Sequence, residues 1–449
     1  MDAGIMALGL DETPTDQDRY PTLSDAGRDT LRKMREHPAA PIFRNQSGNR
    51  LTVEDLQDLE RFEAQLQTAK AVTAMPSWMS EFIEQTYQDV PYYRQFGARQ
   101  NFEDVQPISR ADLSRDVAQF VPDSVDLSRM MHFQTSGTTG HPLFVPSHPQ
   151  VAGRYLSFHK RALSRFGITP QAGPGEVGAI LLGYQARCFT YVSVTPQMGE
   201  SGLAKINLHP NDWKQPRDRA AYLEAMAAEI VTGDPISFEA LLDVDARLFP
   251  KALISVAMML PRGLRAALEA RFGCPVLDIY SMNEVGPIAL FDPDVGGHVL
   301  LQDRLYVEVL DDDDQPIADG ERGEITVTGG FNFCLPLLRY KTGDFGRLGS
   351  ANSVPVIYEL EARRPIRFLT ASGEWINNVD ITHAMAGLRA SRYCLHQQGD
   401  KGLVLRLPDR AMGEADKARA ILGGVMGALP LSIKVIETDD KQLQYTSEL

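Results

Sequence analysis

Ten residues, Phe133 to Pro142, constrain this chain most; they read Phe-Gln-Thr-Ser-Gly-Thr-Thr-Gly-His-Pro. Two glycines, four hydroxyl side chains and a closing proline neither fill a core nor suit a helix interior. They suit a mobile loop whose bare N–H groups and hydroxyls wrap an anionic group closely. Met130, Met131 and Phe133 look like a strand end, and Pro149 to Gly167 carries Val151, Tyr155, Leu156, Leu163 and Phe166 at helical spacing. Strand, hydroxyl-rich glycine loop, then helix is an arrangement that holds nucleotide phosphates. The plain alternative is a surface linker, as most Ser, Thr and Gly clusters are. A Walker-type loop is disfavoured, because that motif closes on Gly-Lys-Ser/Thr and this one closes on Gly140-His141-Pro142.

The surroundings set the fold class. Residues 1 to about 120 read as helical, with amphipathic spacing in Ser24 to Arg35, Val53 to Lys70 and Trp78 to Asp89. Val90-Pro91-Tyr92-Tyr93-Arg94 follows, where proline is expected to break the helix. From 120 to about 360 strands and helices alternate: strands at Val177 to Leu182, Phe189 to Val194, Ala252 to Ala257 and Val276 to Tyr280. Helices are expected at Arg217 to Ile230 and Arg262 to Phe272, with a turn at Gly233-Asp234-Pro235. Such alternation implies βαβ units and mostly parallel sheets, with ligands beyond the carboxyl ends of the strands. Residues 301 to 360 turn to β-hairpins around Leu305 to Leu310 and Glu324 to Thr328, joined by an acidic loop that reads as a solvated turn. Leu337 to Asp344 is expected to end a strand in a polar turn.

The expected architecture is therefore α/β. A large N-terminal domain, residues 1–362, would carry mixed, mostly parallel sheets flanked by helices plus a β-hairpin-rich subdomain. A small mobile α+β C-terminal domain, 363–449, would follow a hinge at roughly 361 to 367.

Composition narrows the function classes. The net charge of −14 argues against nucleic acid as the main partner, since no basic excess exists to neutralise phosphates. No apolar run approaches a membrane span, and Met1-Asp2-Ala3-Gly4 does not open a signal peptide. Cys188, Cys274, Cys334 and Cys394 are scattered, so reduced thiols in the cytoplasm are the expectation.

Three separated motifs then read together: Thr135 to Gly140, Tyr280-Ser281-Met282-Asn283-Glu284, and Tyr340-Lys341-Thr342-Gly343-Asp344. In this order they resemble the signatures of the adenylate-forming superfamily of acyl-CoA ligases, peptide-synthetase adenylation domains and luciferases. Val90 to Arg94 and Asp303 to Gly330 resemble the phenylacetate–CoA ligase branch. The resemblance runs from about residue 80 onward.

The resemblance implies ATP and Mg²⁺ as cofactors, an aromatic or other small organic acid as substrate, and coenzyme A as acceptor. The acid would attack the α-phosphate to give an acyl-adenylate and pyrophosphate, and a thiol would then displace AMP. Thr135, Ser136, Gly137, Thr138, Thr139 and Gly140 would cradle the β- and γ-phosphates. Glu284 would ligate Mg²⁺, Tyr280 would stack on adenine beside Asn283, and Asp344 would take the ribose hydroxyls. Arg363 matches the family's hinge arginine, and Lys441 stands where a C-terminal lysine bridges the substrate carboxylate and α-phosphate. Tyr184, Phe189 and Tyr191 lie where relatives line the acyl pocket, though core packing explains them equally well. Departures are His141 for a cationic residue, Asn283 for Ser or Thr, Ala257-Met258-Met259 for a glycine-rich segment, and Ala362 before Arg363. Two alternatives stay open: transfer to a carrier protein or other nucleophile, and a binding protein of this fold without turnover. A homodimer is the commonest assembly for such a chain.

Overall fold

A computed structural model describes residues 15–97, 101–134, 143–185, 188–362, 366–437 and 443–449. Its twenty strands are numbered in chain order. β1 (Met131–Gln134) and β2 (Phe144–Ser147) form a hairpin. β3 (Val177–Gly183), β4 (Tyr191–Thr195), β5 (Ser201–Asn207), β6 (Ile230–Gly233), β7 (Ala252–Ser255) and β8 (Val276–Met282) make the α/β portion. β9 (Gly286–Asp292), β10 (Gly297–Leu300), β11 (Leu305–Leu310), β12 (Arg322–Gly329), β13 (Leu337–Ala351) and β14 (Val354–Ala362) follow. β15 (Arg367–Leu369) and β16 (Trp375–Asn377) form a second hairpin, and β17 (Cys394–Gln397), β18 (Leu403–Leu407), β19 (Leu431–Val435) and β20 (Tyr445–Ser447) close the chain.

β3 to β14 join into one twelve-stranded sheet, in the order β11-β12-β13-β14-β10-β9-β8-β7-β6-β3-β5-β4. β5, β3, β6, β7 and β8 run parallel, as the apolar runs of β3, β7 and β8 lead one to expect. From β8 to β11 every neighbour is antiparallel, so the hairpin-rich region extends the parallel region without a break. β8 is the join, and Tyr280 lies on it.

Helices cover both faces of the parallel strands. On one side the helices Asp25–Glu36, Asp218–Met226, Pro235–Leu242 and Arg262–Phe272 bury Met34, Tyr222, Phe238 and Leu268 against Ile180, Ile206 and Leu253. On the other, Val53–Thr68 and Pro149–Ser164 bury Leu66, Phe158 and Leu163 against Ile254, Leu277 and Leu290. A third cluster joins the helix Met79–Asp89 to the antiparallel strands. A separate cluster, from Phe368 to Tyr445, packs two helices on the four-stranded sheet β19-β18-β17-β20.

Four local expectations are corrected. The helix expected over Arg217 to Ile230 stops at Met226, because Ala227 turns left-handed (φ 44°), and Ile230 starts β6. Gly233-Asp234-Pro235 is more than a turn: Asp234 caps the helix Pro235–Leu242, accepting from Ser237 N–H, with proline at its first position. Pro91 likewise opens a short helix, Pro91–Arg94, rather than only ending one. The strand at Leu337 continues to Ala351. Its pairing with β12 shifts register between Glu324 and Thr326, and Thr342-Gly343-Asp344 falls at that irregularity.

Candidate active site

Two turns converge where β8 meets the antiparallel strands. The Tyr280 hydroxyl donates to Asp344 Oδ2 at 2.7 Å. Four residues past Tyr280, Glu284 Oε1 accepts from the Tyr340 hydroxyl at 3.2 Å and from Arg110 Nη1 at 3.3 Å. One motif thus supplies Tyr280 and Glu284, and the other answers with Asp344 and Tyr340. Asn283 takes part through its backbone, accepting from the Tyr155 hydroxyl at 3.4 Å.

The Asp344 turn is built by local bonds. Gly343 has φ 79°, a conformation that glycine adopts without strain, and its N–H donates to Glu324 Oε1 at 3.1 Å. Thr342 Oγ1 donates to Ile325 O and accepts from Asp344 N–H. Lys341 bridges Glu324 at 3.2 Å and also pairs with Asp314 in the acidic loop. Of the four aspartates there, expected to form a solvated turn, Asp312 and Asp313 are exposed and Asp311 and Asp314 half-buried, and Asp314 anchors this lysine.

Glu284 is 2% exposed. Burial pushes its carboxyl pKa up, and Arg110 and Tyr340 pull it part of the way back. Tyr280 is pushed upward too, first by burial and then by the Asp344 charge. Arg110 reaches Glu284 because Ile108 N–H bonds Arg339 O at 3.0 Å and Lys341 N–H bonds Ile108 O at 2.8 Å. No motif singles out Arg110; it lies 174 residues from Glu284 in the chain.

Beside this cluster lies a cavity of about 1460 Å³. Asp344 lines it, together with Ala257, Met258 and Met259 and with Tyr393 and Gln444 of the C-terminal region. Ala257 sits at φ 69°, so the chain bends as a glycine-rich segment would, although no glycine is present. Asp278, two residues before Tyr280, also lines the cavity, 3.7 Å from Arg265 and 4.0 Å from His298. Burial raises Asp278 to about 7 and lowers His298 to about 4, so the imidazole is neutral at pH 7 and Arg265 is its cationic neighbour.

The other expected residues are placed as follows. Tyr184 follows β3, its ring beneath the Arg410 guanidinium (4.5 Å) and beside His209. Phe189 and Tyr191 pack on each other at the start of the edge strand β4. None of these three lines the cavity that holds Asp344. Thr135 to Gly140, Arg363 and Lys441 lie outside the described residues. The C-terminal region meets the larger body through Gly263 N–H to Ala386 O (3.0 Å), Ser391 to Glu239, and Asn378 Nδ2 to Glu361 (3.1 Å).

Comparison with known proteins gives the family. The model described as AMP-binding enzyme matches residues 45–333, more than half of the 449. A 91-residue stretch is 36% identical to the phenylacetate-coenzyme A ligase of Escherichia coli (strain K12), covering 19% of this chain and 21% of that protein. A stretch of the same length is 33% identical to the Aromatoleum evansii protein of that name, with the same coverage. The chain therefore spans about a fifth of the length of the curated relatives it matches. Among solved structures, 2-hydroxyisobutyryl-CoA ligase in the postadenylation state with 2-HIB-AMP aligns at TM-score 0.59 and 15% identity, over 87% of this chain and 88% of that one. The same ligase with 2-HIB-AMP and CoA aligns at TM-score 0.51 and 17% identity, over 87% and 90%. That likeness shows the α/β fold, with its large mixed sheet and small C-terminal sheet. On the family match, the chain belongs to the AMP-binding enzymes.

Proposed function

We propose that this protein activates a small, aromatic carboxylic acid as an acyl-adenylate, using ATP, and passes the acyl group to the thiol of coenzyme A. The observation that carries the reading is the pairing of Tyr280 with Asp344 and of Glu284 with Tyr340 beside one large cavity. A carboxylate oxygen of the acid attacks the α-phosphorus, and the bond to pyrophosphate breaks. The thiolate sulfur then attacks the acyl carbon, and the carbon–oxygen bond to AMP breaks. The first step replaces a poor leaving group with a good one.

The site residues divide the work of that scheme. An ionised carboxylate offers about four acceptor positions, so Asp344 can keep the Tyr280 hydroxyl and take ribose hydroxyls as well. The Tyr280 ring, held at its hydroxyl end, would stand against adenine. Thr135 to Gly140 would hold the outer phosphates, Arg363 the ribose or phosphates, and Lys441 the approaching oxygens. The region from residue 363 onward would be the element that moves between the two steps.

Magnesium is implied by this chemistry, and the donor set fits it. Among the described residues no three His, Cys, Asp or Glu side chains gather as a cage. That suits a cation that keeps several waters and takes substrate phosphates as ligands. Glu284 would hold it: it is a buried carboxylate whose two side-chain hydrogen bonds both fall on Oε1. When bound, the ion neutralises charge on the departing pyrophosphate.

The test is pyrophosphate–ATP exchange across a panel of aromatic and aliphatic carboxylic acids, followed by mass analysis of products with coenzyme A. Acid-dependent exchange and an acyl-CoA product are expected. Absence of exchange with every acid would overturn the activation step, and exchange without a thioester would redirect the acceptor.

A further inference from the structure

A second cavity, of about 470 Å³, shares no lining residue with the first. Its walls are aromatic, with Phe62, Trp78, Phe82, Phe158, Phe331 and Phe333. Such a volume falls within the range of small-molecule sites. Set among the rings is the guanidinium of Arg154, 4.8 Å from the centre of Phe62 and 5.6 Å from that of Phe333. Arg154 Nη1 donates to Phe331 O at 3.0 Å, and no carboxylate among the described residues lies within ion-pair distance of it. Desolvation lowers its affinity for its proton, as expected for a cation held in apolar surroundings.

Arg154 is half-buried; the carboxylate of Asp58 acts on it across space without forming an ion pair, and its side chain lines the cavity. The lining also holds one unpartnered acceptor, which would take a donor from a ligand and not a carboxylate oxygen. Gln302 is 1% exposed; its Nε2 donates to Val285 O and Pro287 O, and its Oε1 has no partner. Arg304, 5.8 Å from the Trp78 ring, adds a second cation to the lining, against the carboxylates of Glu81 and Asp303.

We propose that this cavity is a second ligand site for a small organic anion, a flat apolar body carrying one carboxylate, with Arg154 as the group that binds the charge. A guanidinium engages a carboxylate by paired N–H···O bonds, and the rings hold a planar body by stacking. Phe331 lines this cavity and packs on Phe158 and on Tyr155. Because the two cavities share no lining residue, a ligand here need not displace one there.

Trp78 supplies the readout, because it lines the cavity while Trp213 is buried elsewhere and Trp375 stands exposed. The experiment is a fluorescence titration of the full-length chain with benzoate and 2-naphthoate, and with their neutral amides as controls. Saturable quenching by the acids and little by the amides is expected, lost in Trp78→Phe. It should weaken at least about tenfold in Arg154→Gln, the loss of a charge-assisted pair, but not in Asp344→Ala. Equal binding of acids and amides, no saturable quenching, or quenching that Asp344→Ala abolishes would each overturn the proposal. Should Arg154→Gln fail to fold, the difference between acid and amide in the parent chain decides alone.

Discussion

The Tyr280 hydroxyl and the Asp344 carboxylate meet at 2.7 Å, although 64 residues separate them in the chain. Tyr280 arrives on a strand with a parallel neighbour on one side and an antiparallel one on the other. Asp344 arrives on an irregularity inside a long antiparallel strand. Neither element makes a site alone; together they form one acceptor group backed by one ring.

Asp344→Ala should lower ATP-dependent turnover by at least about tenfold, about 1.4 kcal/mol of transition-state stabilisation. Tyr280→Phe keeps the carboxylate and the ring but removes one hydrogen bond, worth about 1 kcal/mol. Its effect on nucleotide affinity should be the smaller of the two. Steady-state kinetics with an AMP-analogue titration checks both, and a wild-type rate in Asp344→Ala would remove the ribose assignment.

Glu284→Ala should likewise lower turnover by at least about tenfold, or about 1.4 kcal/mol. Its partner offers a sharper test. Glu284 must be ionised to hold a cation, and burial already raises its pKa, so activity is lost as pH falls through that raised value. Arg110 opposes the rise. Arg110→Ala should therefore move the acid limb of the pH–rate profile to higher pH, and a shift to lower pH would contradict the geometry.

Asp278 sets a pH-dependent term in stability. In the folded chain it holds its proton up to about pH 7, against an ordinary value of 3.8. The native state binds the extra proton across that window, so stability falls as pH rises through it. Relative to the parent, Asp278→Asn should gain on the order of 2 kcal/mol between pH 5 and pH 8. Denaturant titrations at the two pH values measure the gain; a difference that does not change with pH would show that Asp278 does not titrate as described.

Gly286 follows Glu284 by two residues and sits at φ 74°. A Cβ there would lie 2.3 Å from Phe331 Cε1. Gly286→Ala should cost roughly 2–4 kcal/mol, combining left-handed strain with overpacking. Phe331→Leu introduced beside it should recover part of that loss by making room. Urea midpoints of the single and double variants test this, and an undisturbed midpoint in Gly286→Ala would show that the ring moves freely.

Several features were legible from residue order because their causes are local. The continuous apolar runs of β3, β7 and β8 announced buried strands, and Tyr280, Glu284 and Asp344 stood out by motif. The helix boundary at Met226 was missed because Ala227 turns left-handed without a glycine to announce it. The helix at Pro235 was read as a turn because Asp-Pro signals either, and only burial against the sheet settles which. Tyr184, Phe189 and Tyr191 are a different case. Their aromatic character was plain, but nothing in it told ring packing from the lining of a pocket.

What the amino-acid order determined by itself is much of the set of strands, helices and polar turns, since period, caps and turn residues act within a few positions. Which turns share a site was decided only by the tertiary structure. Arg110 faces Glu284 because Ile108 pairs with Arg339 and Lys341, and Arg154 faces an aromatic cavity because two distant helices and the Phe331 segment close round it. Those contacts span far more residues than any local pattern, and they form only when the sheet and helices pack to bury their apolar faces.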